Sequence, residues 1–162
     1  MLGGACGQFL GNNPIWHFDG PGLYPVESTW KESLDRTGSR DMTRLRDFFT
    51  GLPWHRLEPE KNHEVVTDGY GDGVATALTA RTADKRLSVT YIPSTGTESR
   101  TLTVDLNQFP WPIGARWYNP AVGAWQHIQV TPLPSRGLHP FVTPGDNGTR
   151  ANDWLLVVEA PV

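Results

Sequence analysis

One cysteine, Cys6, is all the thiol chemistry that this 162-residue sequence offers. It excludes an internal disulfide and any cysteine-based metal site. Long apolar runs are missing as well: no stretch approaches the ~18–20 residues of a membrane-spanning helix, so no membrane partner is expected. A basic excess is also absent. The formal net charge is −3, with both signs mixed along the chain, which leaves no electrostatic footprint for nucleic acid. The start, Met1 to Cys6, lacks the basic and apolar regions of a secretory signal, and no targeting signal is read elsewhere. There is no internal repeat and no low-complexity tract.

The common catalytic signatures are lacking too. The five histidines, at positions 17, 55, 63, 127 and 139, show no metal-binding spacing, so neither a metal nor a cofactor is expected. Gly7 and Gly11 fit no phosphate-binding glycine pattern, and no Gly-x-Ser-x-Gly elbow is present. Asp68-Gly69-Tyr70-Gly71-Asp72-Gly73 resembles part of a calcium loop. It lacks the repeated Asp core and the distal Glu, and reads as a Gly-rich hairpin turn. Glu58, Glu60 and Glu64 sit in a charged linker and read as solvated. Paired carboxylates for glycoside cleavage converge only in three dimensions and cannot be recognised from spacing. Asn147-Gly148-Thr149 matches the glycosylation sequon and reads as an exposed turn.

What is present is aromatic and strand-forming. Between Phe109 and Trp125, an apolar strand (115–118) meets Asn119-Pro120 and resumes after Gly123. Pro presets φ for the second turn position and Gly123 can supply a positive φ, so the stretch reads as a hairpin. Alternating runs at 74–80, 87–91 and 102–106, with further strands at 115–118, 124–130 and 154–159 and a weak one at 64–67, predict an antiparallel sandwich. The last strand, Trp154 to Glu159, is apolar on both faces and should lie centrally. Residues 132–153 read as a long excursion.

The first 62 residues have another period. Thr29 and Glu32 have capping-box spacing, which starts a first helix near Thr29. A second helix runs from Ser39 as N-cap to Thr50, with an apolar stripe of Met42, Leu45, Phe48, Phe49 and Leu52; Gly51 and Pro53 stop it. The opening Gly3 to Gly7 reads as a crowded, buried strand feeding a loop. In that loop Trp16 lies beside Gln8, Asn12 and Asn13, whose amides both donate and accept. An indole among amides suits a sugar, with the ring stacking and the amides bonding hydroxyls. The other reading has Trp16 anchoring the loop against the helices.

Several segments together resemble the C-terminal part of apiosidase-like glycoside hydrolases: residues 4–16, Ser33-Leu34, Gly38 to Met42, Leu45-Arg46, Leu52-Pro53-Trp54 and the Trp117-Tyr118-Asn119-Pro120 hairpin. The resemblance spans nearly the whole chain. It implies a mainly β chain: an antiparallel β-sandwich over 63–162, of the type labelled a collagen-binding domain of a collagenase. Before it, residues 1–62 form a short α/β portion, the last strand and closing helices of an (α/β)₈ barrel. The family's usual Gly-His-Thr-Tyr-Gly reads here Gly7-Gln8-Phe9-Leu10-Gly11. The family's catalytic carboxylates sit on earlier barrel strands that have no counterpart here, so no catalytic residue is assigned and the chain is expected to be silent alone. Carbohydrate is the expected partner, contacted by Gln8, Asn12, Asn13 and Trp16. Collagen is the partner of the family label, and no residue pattern in the chain speaks for it. A stand-alone binding module for either is the alternative. The helical stripe should dock on the sandwich or on a second copy of the chain. The family implies a secreted or periplasmic setting.

Overall fold

A computed structural model describes residues 1–18, 20, 25–128, 133 and 136–160. Among the described residues three α-helices come first: α1 (Asn13–His17), α2 (Trp30–Ser33) and α3 (Thr37–Thr50). Nine strands follow among the described residues: β1 (Leu57–Pro59), β2 (Val66–Asp68), β3 (Leu78–Thr82), β4 (Leu87–Ile92), β5 (Thr101–Asp105), β6 (Gly114–Asn119), β7 (Ala124–His127), β8 (Leu138–Val142) and β9 (Trp154–Glu159). They form two antiparallel sheets, ordered β1-β3-β4-β9-β6-β7 and β2-β5-β8. The mainly β, sandwich-type fold is as the sequence led one to expect.

Strand β9 lies between β4 and β6, and its two apolar faces serve two cores. Trp154, Leu156 and Val158 face the smaller sheet and join Ile92, Leu102 and Val104. Leu155 and Val157 face the other way and join Val89, Tyr118, Phe48 and Phe49. The larger sheet is thus covered on one side by the smaller sheet and on the other by α3. This is why its central strand carries no alternation.

Local chemistry sets the helix ends. Thr29 accepts from the Glu32 N–H at 3.3 Å while the Glu32 carboxylate accepts from the Thr29 N–H at 2.9 Å, completing the capping box. Helix α3 starts at Thr37, two residues before the expected cap, and Arg36 caps it without a side-chain bond. Ser39 instead lies in the first turn of α3, where its hydroxyl donates to the Ser33 carbonyl at 3.3 Å. Phe48, Phe49 and Leu52 are buried, and Met42 and Leu45 half-buried, so the stripe docks on the sandwich.

Five expectations change. Gly3 to Gly7 form no strand and are exposed; small residues permit a crowded strand, but none of the described strands pairs with this segment. The run at 74–80 starts as a 3-10 turn at Gly73–Ala75, with Val74 exposed, and β3 begins only at Leu78. The loop Asp68–Gly73 is no hairpin, since it carries the chain from β2 in one sheet to β3 in the other. The charged linker contains β1, which pairs with β3, and the excursion contains β8, paired along β5. Residues 129–130 of the expected strand 124–130 lie outside the described residues.

Candidate functional site

The expected ligand loop runs through residues 8–17. Its helix α1 has Pro14 in the first turn, where no N–H is needed, and ends on Phe18 in the left-handed region (φ 46°). Asn12 Nδ2 donates to the Ser33 carbonyl at 3.1 Å and to Ser39 Oγ at 3.4 Å, tying the loop to α2 and α3. Asn13 Nδ2 donates to the Pro25 carbonyl at 3.1 Å. Both amide nitrogens are therefore taken up by the protein. Trp16 is 61% exposed, yet one side of its indole lies on Gly11, where a Cβ would stand 2.9 Å from the ring. Only a glycine lets the ring rest there. The loop thus leaves a broad indole face exposed while its asparagines hold it in shape.

Gln8 points elsewhere. It lines a cleft of about 490 Å³ between α3 and the face of the larger sheet; Asn12, Asn13 and Trp16 do not. The floor is made by Phe48, Phe49, Tyr118 and Leu155, and the rim carries Asp41, Asn147, Thr149 and Asp153. Phe48 packs on Tyr118 with ring centroids 4.6 Å apart, and on Trp125 at 5.5 Å. The Arg116 guanidinium covers the Trp125 ring at 3.9 Å, so that indole is held rather than offered. Tyr118 OH donates to the Arg44 carbonyl at 3.3 Å. Sequence reasoning missed this cleft, whose walls come from positions more than a hundred residues apart.

The loop between β8 and β9 builds the acidic rim. Asn119, at the end of β6, accepts from the Ala121 N–H at 2.9 Å, which forms the turn before Gly123 (φ 74°). Its Nδ2 donates to the Asn147 carbonyl at 2.9 Å. Asn147 is 4% exposed, not an exposed turn residue. Its Oδ1 accepts from Thr149 N and Oγ1, and its Nδ2 donates to Asp153 Oδ1 at 2.6 Å. Burial raises the Asp153 carboxyl above the ordinary aspartate range, although its own backbone N–H and Asn147 pull it down.

The sign of that shift makes a prediction. A carboxyl whose folded pKa is raised favours the fold below its unfolded pKa, and loses that contribution as pH rises through the folded value. Asp153→Asn removes the charge and keeps an oxygen for Asn147. It is expected to raise the melting temperature at pH 7, with the gain disappearing below about pH 4, near the unfolded aspartate value. Melts across that range that show a loss at neutral pH would contradict it. Asp84 is shifted the other way, to about 2, first by Thr82 and then by Arg56.

Among the described residues, no group of three or more His, Cys, Asp or Glu could hold a metal. The calcium-like loop is instead organised by a guanidinium. Arg100 donates to the carbonyls of Pro93, Gly69, Tyr70 and Ala75 at 3.0–3.5 Å. No described helix is long and apolar enough to cross a membrane.

Comparison with known proteins fits this layout. The model described as "Apiosidase-like, catalytic domain" matches residues 1–56. The model described as "Putative collagen-binding domain of a collagenase" matches residues 62–159, more than half of the chain, and the chain belongs to that family. A solved structure titled "Glycoside hydrolase" shares the fold, with 22% identity and a TM-score of 0.76, over 98% of this chain and 34% of its own. A glycoside hydrolase family 5 structure from Bacteroides vulgatus ATCC 8482 is similar at 20% identity and a TM-score of 0.75, over 98% of this chain and 33% of its own. The chain spans about a third of the length of these structures. No curated protein matches it.

Proposed function

We propose that the chain is the C-terminal, non-catalytic portion of a glycoside-hydrolase-like protein acting on a plant or other polysaccharide. In this reading residues 1–62 close a barrel and residues 63–162 form its accessory sandwich. The observation that carries it is an apolar surface on the N-terminal segment. Phe9 (86% exposed), Trp16 (61%), Phe18 (65%) and Leu34 (53%) are turned outward around α1 and α2. Large apolar side chains turned outward in number suit an interaction site, and here they lie on the part that matches a catalytic domain. The partner surface is the remainder of such a barrel, or a second copy of the chain when no barrel is supplied. Asn12, Asn13 and Trp16 would sit at the barrel's ligand end, with the Trp16 face making the contact, while Gln8 is turned into the cleft under α3. A barrel site draws catalytic groups from several strand ends, which this segment alone does not provide.

The chain should therefore show no turnover of aryl glycosides or pectic oligosaccharides. Hydrolysis abolished by a single Asp or Glu substitution would overturn the reading. The second reading, a stand-alone sandwich that binds carbohydrate or collagen, is favoured by Trp111, 58% exposed between two prolines. Binding lost in Trp111→Ala and kept in Trp16→Ala would select it.

The division at residue 62 has its own test. The core between the two sheets draws only on residues beyond 62, whereas the core under α3 is shared. Residues 63–162 produced alone are expected to fold and then self-associate through the uncovered Val89, Val157 and Tyr118 face. Circular dichroism and size-exclusion chromatography check this; an unfolded product, or a strictly monomeric one, contradicts it.

A further inference from the structure

The cleft between α3 and the larger sheet falls within the volume range of small-ligand sites, which combine an apolar floor with a few placed polar groups. Most of its rim is already committed. Asp41 is ion-paired with Arg44 at 2.8 Å, and the Asn147 side chain is taken up by Thr149 and Asp153. Asp153 and Gln8 keep capacity for a ligand: the carboxylate accepts from its own backbone N–H and from Asn147 and has lone pairs left, and the Gln8 amide is exposed at the cleft. A half-buried carboxylate with lone pairs to spare suits a ligand that brings a hydroxyl donor. Both carboxylates discourage an anion, and Arg44, the guanidinium at the cleft, is tied to one of them.

We propose that this cleft binds a single neutral sugar ring. A hydroxyl donates to Asp153 Oδ2, the Gln8 amide bonds a second, and the ring's C–H face lies against Met42 and Leu45. The sugar identity rests on the polysaccharide-related reading above; the preference for a neutral donor over an anion rests on the cleft's own charges. The site is distinct from the Asn12–Trp16 loop, and it joins the N-terminal segment to the sandwich.

The test is an NMR titration of the full chain with galactose and xylose, and with glucuronate as the charged counterpart. Saturable shifts are expected at Leu45, Thr149 and Leu155, with the Trp16 indole silent and glucuronate several-fold weaker. Asp153→Asn should weaken neutral-sugar affinity about tenfold, the value of one charge-assisted hydrogen bond, while melting no lower than the parent chain. Retained stability separates lost binding from lost fold, and Gln8→Ala, on an exposed loop, gives a second variant with an expected loss of a few-fold. Shifts confined to Trp16 or Trp111, equal binding of glucuronate, no saturable shift with any sugar, or unchanged affinity in both variants would overturn the proposal. The non-catalytic reading fails separately, on glycoside turnover by the chain.

Discussion

Phe48→Ala is expected to destabilise the chain by about 3–5 kcal/mol, the range for deleting a buried phenylalanine ring. Phe48 is 4% exposed and touches Phe49, Tyr118 and Trp125 with centroids 4.6–5.5 Å apart. It is the contact through which α3 grips the sandwich. Its loss removes aromatic area from water-excluded packing and leaves a cavity that the sheet, held by its ladders, cannot close. Phe48→Leu should lose less, because it keeps most of the volume. Urea unfolding gives the magnitude, and limited proteolysis gives the place, with new cuts in residues 1–56 and the sandwich intact. A cost under ~1 kcal/mol, typical of a surface change, would mean that α3 is not held by this ring.

The second large effect is expected at Arg100. Arg100→Met keeps an apolar stem but removes the donors to the carbonyls of Gly69, Tyr70, Ala75 and Pro93, of which Tyr70 keeps the Ala77 N–H at 2.7 Å. Leaving such acceptors unmet should cost about 2–4 kcal/mol. Lysine should rescue it only in part, because a point charge cannot reproduce the planar fork. Gly71 (φ +75°) belongs to the same device, since a Cβ there would lie 2.8 Å from Arg100 Nη2 and from the Ala75 carbonyl. Gly71→Ala is therefore expected to loosen the same loop. Amide hydrogen exchange rising in residues 69–76, with β4 and β9 unchanged, is the signature; a global change would refute a local staple.

The sandwich was largely legible in the sequence where one rule decided the outcome. Leu102 to Val104 alternates because one face lies in a core, and Leu87 to Tyr91 alternates although its Ser88 and Thr90 are themselves buried. Trp154 to Glu159 does not alternate, and its central place followed from that. The Asn119–Gly123 turn and the Thr29–Glu32 box are short-range devices whose partners lie within four residues. Reading failed where pairing was long-range. Strand β8 contains Pro140 and sits in Pro- and Gly-rich sequence, but as the end strand of its sheet it tolerates a missing N–H. Strand β1 is three residues long and is specified by β3 rather than by its own composition. Gly3 to Gly7 had the composition of a buried strand, yet no described strand pairs with them. At the candidate sites, the residue types of the loop were readable, but not that Asn12 and Asn13 would bond backbone carbonyls. Asp153 carried no signal at all; its meaning comes from Asn147 beside it and from α3 across the cleft.

The buried sequon turns this fold into a recorder of its own timing. Asn147 can accept a glycan only while its amide is free, and in the finished structure that amide is closed in by Asp153 and Thr149. If the chain were made in a compartment with N-glycosylation machinery, attachment would race against closure of the β8–β9 loop. Occupancy at this one asparagine would report how long the loop stays open after synthesis, and a glycan found there would mark a molecule that lost the race.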